Sequence, residues 1–277
     1  MLRSMLVGVD GSAYSTTAVE LGIRWAQRYG AVLVGLGVID APTICKPQPV
    51  PLGASAYKVQ RDASLLADAS HKVTQFLEHF AQRCAEADVA YQILQEVGLP
   101  TERILLEAQQ YDLILLGQHT SFHFETQEQP DDTLHTVLKH NPRPVVAVPV
   151  PLPEGRAAVV AYDGSLQAAR VLQAFQAVGL ASSYEVHVVC VDPHQEQADL
   201  CVERAVTFLQ GHNIVAQAHA LATAAAPAQV LLEHVQQVEA SLLVMGAYGR
   251  STLREFFGGS LTRTMLRESP VPLFLYH

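Results

Sequence analysis

The sequence predicts an α/β protein built twice over, as two mainly parallel sheets flanked by helices. Three observations carry this expectation. Aliphatic runs of four to seven residues recur, the form taken by strands buried on both faces. Stretches with apolar residues at helical spacing separate them. The landmarks of the first half then return, in the same order, in the second.

The elements follow in chain order. Leu6-Val7-Gly8-Val9 is a strand that runs into Asp10-Gly11-Ser12. Ser15 to Tyr29 places Ala18, Leu21, Gly22, Trp25 and Ala26 on one face, so it reads as a helix with Ser12 or Ser15 as its cap. Val32 to Asp40 is a second strand. Residues 41–65 hold Pro42, Pro47, Pro49 and Pro51 and read as a loop or lid. Asp112 to Gly117 is a further strand, and Asn141-Pro-Arg-Pro leads into Val145–Val150. Pro-Leu-Pro-Glu-Gly, within 149–156, reads as a linker between domains expected at 1–150 and 156–277.

Beyond the linker the pattern restarts. Val159-Val-Ala-Tyr-Asp-Gly-Ser165 repeats Leu6 to Ser12, with Asp163 following Asp10 by 153 positions. Val186 to Asp192 answers Val32 to Asp40. Val202 to Leu209 and Gln229 to Val238 are helical stretches. Ser241 to Gly246 answers Asp112 to Gly117, Leu261 to Arg267 is a helix candidate, and Ser-Pro-Val-Pro enters the last strand, Leu273–Tyr276. The implied order, five strands alternating with helices in each half, is an open parallel sheet. Ligands of such sheets bind beyond the carboxyl ends of the strands. That rule puts Asp163, Val191 and Gly246 on one rim.

Composition narrows the function. With 49% apolar and 16% charged residues the chain has material for two cores and is not a disordered sequence. A net charge of −9 and the lack of dense Lys/Arg runs argue against nucleic-acid and membrane partners. The first residues run straight into a strand without the pattern of a signal peptide, and Cys45, Cys84, Cys190 and Cys201 lack CxxC spacing. A cytoplasmic protein with reduced thiols is expected.

The chemistry concentrates after Met245. Gly246-Ala-Tyr-Gly249-Arg250 continues to Gly258-Gly259-Ser260, where a helix begins. Glycines let backbone amides approach a ligand, and the free N–H groups at a helix start favour an anion. This reads as a phosphate cradle, with Arg250, Arg254 and Arg263 nearby, although a glycine-rich loop alone equally reads as a tight turn with close helix packing. Gly246, two residues, Gly249, nine residues, Gly259-Ser260 resembles the motif of nucleotide-binding members of the universal stress protein family. Asp-Gly-Ser after the first strand and the Pro-x-Pro entry to the last also match, in both halves.

The resemblance implies a tandem protein of two Rossmann-like domains of the adenine nucleotide alpha hydrolase type, each with five strands. It implies ATP or AMP at the rim of the second domain, with or without Mg2+. Ala161 and Tyr162 would line the adenine pocket with Val191, whose backbone would meet the base edge. Asp163 would bond the ribose or lie beside the phosphates. Gly246, Gly249, Gly259 and Ser260 would hold ribose and phosphate. Relatives that dimerise through their last strands imply that Val145–Val150 and Leu273–Tyr276 pair within one chain as a pseudo-dimer, with homodimerisation open.

The first half departs from the motif. Aligning Pro142 with Pro270 puts Asp131 on Gly259 and Asp132 on Ser260, and Thr120 replaces the second glycine. Two carboxylates then stand where phosphate would sit, so this half is expected not to bind a nucleotide triphosphate. His119, His123, Glu125, Glu128, Asp131 and Asp132 read as a solvated polar loop rather than a metal site. No P-loop, nucleophile elbow or clustered Cys/His pattern appears. The expected protein is therefore a stress-response binding module that signals through an unidentified protein partner. A slow ATPase or phosphotransferase, and a structural partner protein without nucleotide, stand as alternatives.

Overall fold

The computed structural model describes residues 1–47, 55–123, 131–247 and 260–277. They form two compact units, Arg3–Pro142 and Arg143–His277, the latter joined by Met1 and Leu2. Leu2 N–H donates to the Val178 carbonyl at 2.7 Å, which ties the chain start to the second unit.

The first unit runs β1 (Ser4–Gly8), α1 (Ala13–Tyr29), β2 (Val32–Ile39), α2 (Ala41–Ile44), α3 (Ser55–Glu86), β3 (Tyr91–Val97), α4 (Pro100–Glu107), β4 (Leu113–Gly117) and α5 (Thr133–His140). Its strands lie in the order β3-β2-β1-β4, and adjacent strands run parallel. β1 and β4 are buried, the pattern of strands inside a parallel sheet. β3 is an edge strand, and Tyr91, Ile93 and Val97 remain exposed.

The segment 41–65 differs from its expected loop. Pro42 sits in the first turn of α2, where a missing N–H is harmless, and Asp40 caps that helix through Thr43 N–H at 3.2 Å. After Pro51 nothing interrupts helical spacing, and α3 starts at Ser55. Its buried face is Ala69, Val73, Leu77, Phe80 and Cys84. Residues 48–54 of the expected lid lie outside the described residues.

The second unit runs β5 (Val145–Val148), β6 (Ala157–Ala161), α6 (Leu166–Ala177), β7 (Glu185–Asp192), α7 (Gln195–Gly211), β8 (Ala216–Ala222), α8 (Pro227–Gln237), β9 (Ala240–Gly246), α9 (Ser260–Glu268) and β10 (Leu273–Tyr276). Its strand order is β5-β10-β9-β6-β7-β8. β5 runs antiparallel to β10, with Ala147 opposite Leu273, and the other pairs are parallel. The expected pairing of the two repeats' last strands is thus present. β5 covers the edge that β10 would otherwise expose.

The two Asp-Gly-Ser turns fold alike. Gly11 and Gly164 have φ of 77° and 75°, a left-handed conformation that glycine adopts without strain. Asp10 Oδ1 and Asp163 Oδ1 each accept the N–H two residues on at 2.9 Å. Ser12 and Ser165 then cap α1 and α6 through side-chain oxygens. Of the two candidate caps, Ser12 fills the role.

Candidate functional site

In the second unit β6, β7 and β9 are parallel, so their carboxyl ends share one rim. Ala161 ends β6. Tyr162 follows, its N–H donating to the Val189 carbonyl at 2.9 Å, and half-burial pushes its phenol up. Asp163 is exposed beyond it. Val191 is the penultimate residue of β7, and Gly246 ends β9. The structure therefore brings Ala161, Tyr162, Asp163, Val191 and Gly246 to the same edge. Gly249, Arg250 and Gly259 lie outside the described residues, and Ser260 is placed as the first residue of α9.

Gly246 explains how tight this rim is. A Cβ there would lie 2.9 Å from Gln167 Cβ, 3.0 Å from Gln167 C and 3.1 Å from Ala168 N. The missing side chain lets the end of β9 rest on the first turn of α6.

The equivalent rim of the first unit is filled from within. A Cβ on Gly8 would meet Phe122 Cζ at 2.8 Å and Leu116 Cδ2 at 2.5 Å, and Phe122 is only 2% exposed. Asp10, equivalent to Asp163, is 4% exposed. Its Oδ1 accepts Ser12 N–H, and its Oδ2 accepts Ser121 N–H at 2.6 Å. Asp131 accepts Phe122 N–H at 2.7 Å on one oxygen and Thr133 N–H at 2.8 Å on the other. Its carboxylate sits at the start of α5, where the helix dipole favours negative charge. Asp131 thus holds an anion of the chain itself against two of its backbone amides.

Within 119–123 and at Asp131 this corrects the reading of a solvated loop, while Asp132 is exposed as expected. Asp131 and His123 are tied into the unit, and Thr120 is buried. His119 packs edge-on against Tyr14 with ring centroids 4.8 Å apart. Glu125 and Glu128 lie outside the described residues. Local spacing hid the arrangement because its partners, Asp10 and Ser121, stand 111 residues apart.

His123 Nδ1 lies 2.5 Å from Asp40 Oδ2. The bond to Asp40 raises the imidazole, aided by Asp131, Asp40 and Asp132 charges and opposed by burial. Burial raises the Asp40 carboxyl, but bonds from His123 and Thr43 outweigh it and leave the carboxyl lowered. The signs set a window. The His123 contribution is full below its unfolded value of about 6.5 and is lost as pH rises through the higher folded one. The Asp40 contribution is full above about 3.9 and is lost as pH falls through the lowered one. Urea unfolding followed by Trp25, the chain's one tryptophan and buried in α1, should show the first unit weakening from mildly acidic to alkaline pH. His123→Gln should flatten that limb.

The universal stress protein family model matches residues 1–149 and again 156–277. A universal stress protein of Synechocystis sp. is 23% identical over 297 aligned residues, covering 99% of this chain and 100% of the relative. Among solved structures, a universal stress protein from Archaeoglobus fulgidus superposes with a TM-score of 0.69 at 20% identity, covering 99% of this chain and 97% of that one. A protein of unknown function from Pseudomonas aeruginosa reaches 0.58 at 16% identity, covering 99% and 92%. Among the described residues, no helix is long and apolar enough to cross a membrane.

Proposed function

The chain belongs to the universal stress protein family, matched in both of its halves, and on that premise we propose that its second repeat binds an adenine nucleotide, ATP or AMP, while its first repeat does not. One contrast carries the reading. Asp163 stands exposed on the rim of β6, whereas Asp10 is buried and both its oxygens are spent on the chain's own amides. An exposed carboxylate beside the backbone of Tyr162, Val191 and Gly246 suits ribose hydroxyls and a base edge. The glycine-rich 246–260 segment, leading to the start of α9, suits phosphate. The Asp131 carboxylate takes the corresponding place in the first repeat. The function is that of a nucleotide-responsive binding module of the cytoplasm, passing its state to a protein partner through differential affinity.

Calorimetric titration of the full chain with ATP and with AMP should give one site per chain. Asp163→Ala removes one bond to a charged group and should weaken binding about 10- to 100-fold, with little change in melting temperature. Two equivalents per chain, or no heat and no thermal shift with either nucleotide, would overturn the assignment.

A further inference from the structure

Burial leaves three histidines of the second unit facing one another, far from the rim. His187 is the third residue of β7, His219 the fourth of β8, and His234 lies in the last turn of α8. β7 and β8 are parallel with His187 opposite Gln217 and Val189 opposite His219, so both histidines project from the same sheet face. α8 lays His234 over that face. One ring nitrogen from each lies within 4.8 Å of the others. His187 Nδ1 and His219 Nε2 are 2.9 Å apart, and the His219 and His234 ring centroids 4.5 Å.

We propose that His187, His219 and His234 form a three-nitrogen site for a divalent transition-metal cation, zinc foremost. Tetrahedral zinc with Zn–N bonds of about 2.0–2.1 Å sets its ligand nitrogens about 3.3 Å apart. Side-chain adjustments of about an ångström bring the three to that spacing. His234 Nε2 is buried and, among the described residues, has no hydrogen-bond partner, an arrangement that is unfavourable until something accepts its lone pair or its proton. Burial lowers all three imidazoles, His219 and His234 further through the charge of their neighbours. Glu185 opposes this for His187, and a bond with Gln237 opposes it for His234. His187 and His234 are 7% and 6% exposed, but His219 is half-exposed on the edge strand β8, which leaves an entry path and a fourth position for water.

His187 and Val191 are four residues apart on β7, about 13 Å along the strand. The metal would therefore not touch a ligand at the rim. It would clamp β8 and α8 to β7, holding a sheet edge at which no strand residue is fully buried.

Tag-free full chain, stripped with chelator and titrated with zinc against a chromogenic competitor, should bind one equivalent tightly and melt at a higher temperature. Cobalt should give the intense visible bands of a tetrahedral nitrogen site. His219→Gln and His234→Gln should each weaken zinc binding at least about tenfold and abolish those bands, while the surface variant His194→Gln leaves both unchanged. Circular dichroism of the metal-free variants confirms their folding. Absence of tetrahedral cobalt bands in the folded wild-type chain, or zinc affinity unchanged in both folded variants, overturns the site.

Discussion

Asp10→Ala is expected to lower the stability of the first unit by about 2–4 kcal/mol, because two backbone amides lose a buried carboxylate acceptor together. Asp10 is 4% exposed, so water cannot simply take its place. Its loss also unties Ser121 and hence the backbone that carries Phe122 over Gly8. Trp25 reports this unit alone, and its urea midpoint is the measurement. The same substitution at the matching residue, Asp163→Ala, removes one bond from an exposed turn and should change stability by less than about 1 kcal/mol. Equal losses at the two positions would contradict the division of labour between the repeats. Nucleotide affinity should show the opposite pattern, untouched by Asp10→Ala and weakened by Asp163→Ala.

Gly246→Val should reduce nucleotide affinity at least about 100-fold, equivalent to about 2.8 kcal/mol. Valine's Cβ alone would crowd Gln167 and Ala168 at 2.9–3.1 Å, and those contacts are backbone or next to it, so they cannot swing aside. The end of β9 must move off α6, taking with it the start of the glycine-rich segment. Overpacking of this kind costs about 1–3 kcal/mol, so the second unit should also unfold at lower urea by circular dichroism. Gly117→Val separates the two effects. There a Cβ would lie 2.6 Å from Tyr14 Cβ in the first unit, so stability should fall while nucleotide binding stays. Wild-type affinity in a folded Gly246→Val chain would show that the nucleotide does not use this rim.

Strands buried on both faces announce themselves as aliphatic runs, and β1, β2, β4, β6, β7 and β9 stood out for that reason. The edge strands β3 and β8 did not. Tyr-Gln-Ile-Leu-Gln-Glu-Val and Ala-Gln-Ala-His-Ala-Leu-Ala are half exposed and carry no such run. The prolines of 41–51 masked a helix that begins only after the last of them. Asp163, Val191 and Gly246 could be set on one rim because strand ends are local features and parallel order aligns them.

By itself the sequence determined the duplication, the alternation of strand and helix, the paired Asp-Gly-Ser turns and the carboxylates that replace Gly259 and Ser260. All are properties of residues near one another in the chain. Only the tertiary structure decided what Asp131 and Asp10 do: Asp131 accepts the Phe122 and Thr133 N–H groups, and Asp10 accepts that of Ser121. It alone gathered His187, His219 and His234 from two strands and a helix. Such contacts depend on which face of a strand meets which face of a helix, and residue spacing does not encode that when the partners lie tens of residues apart.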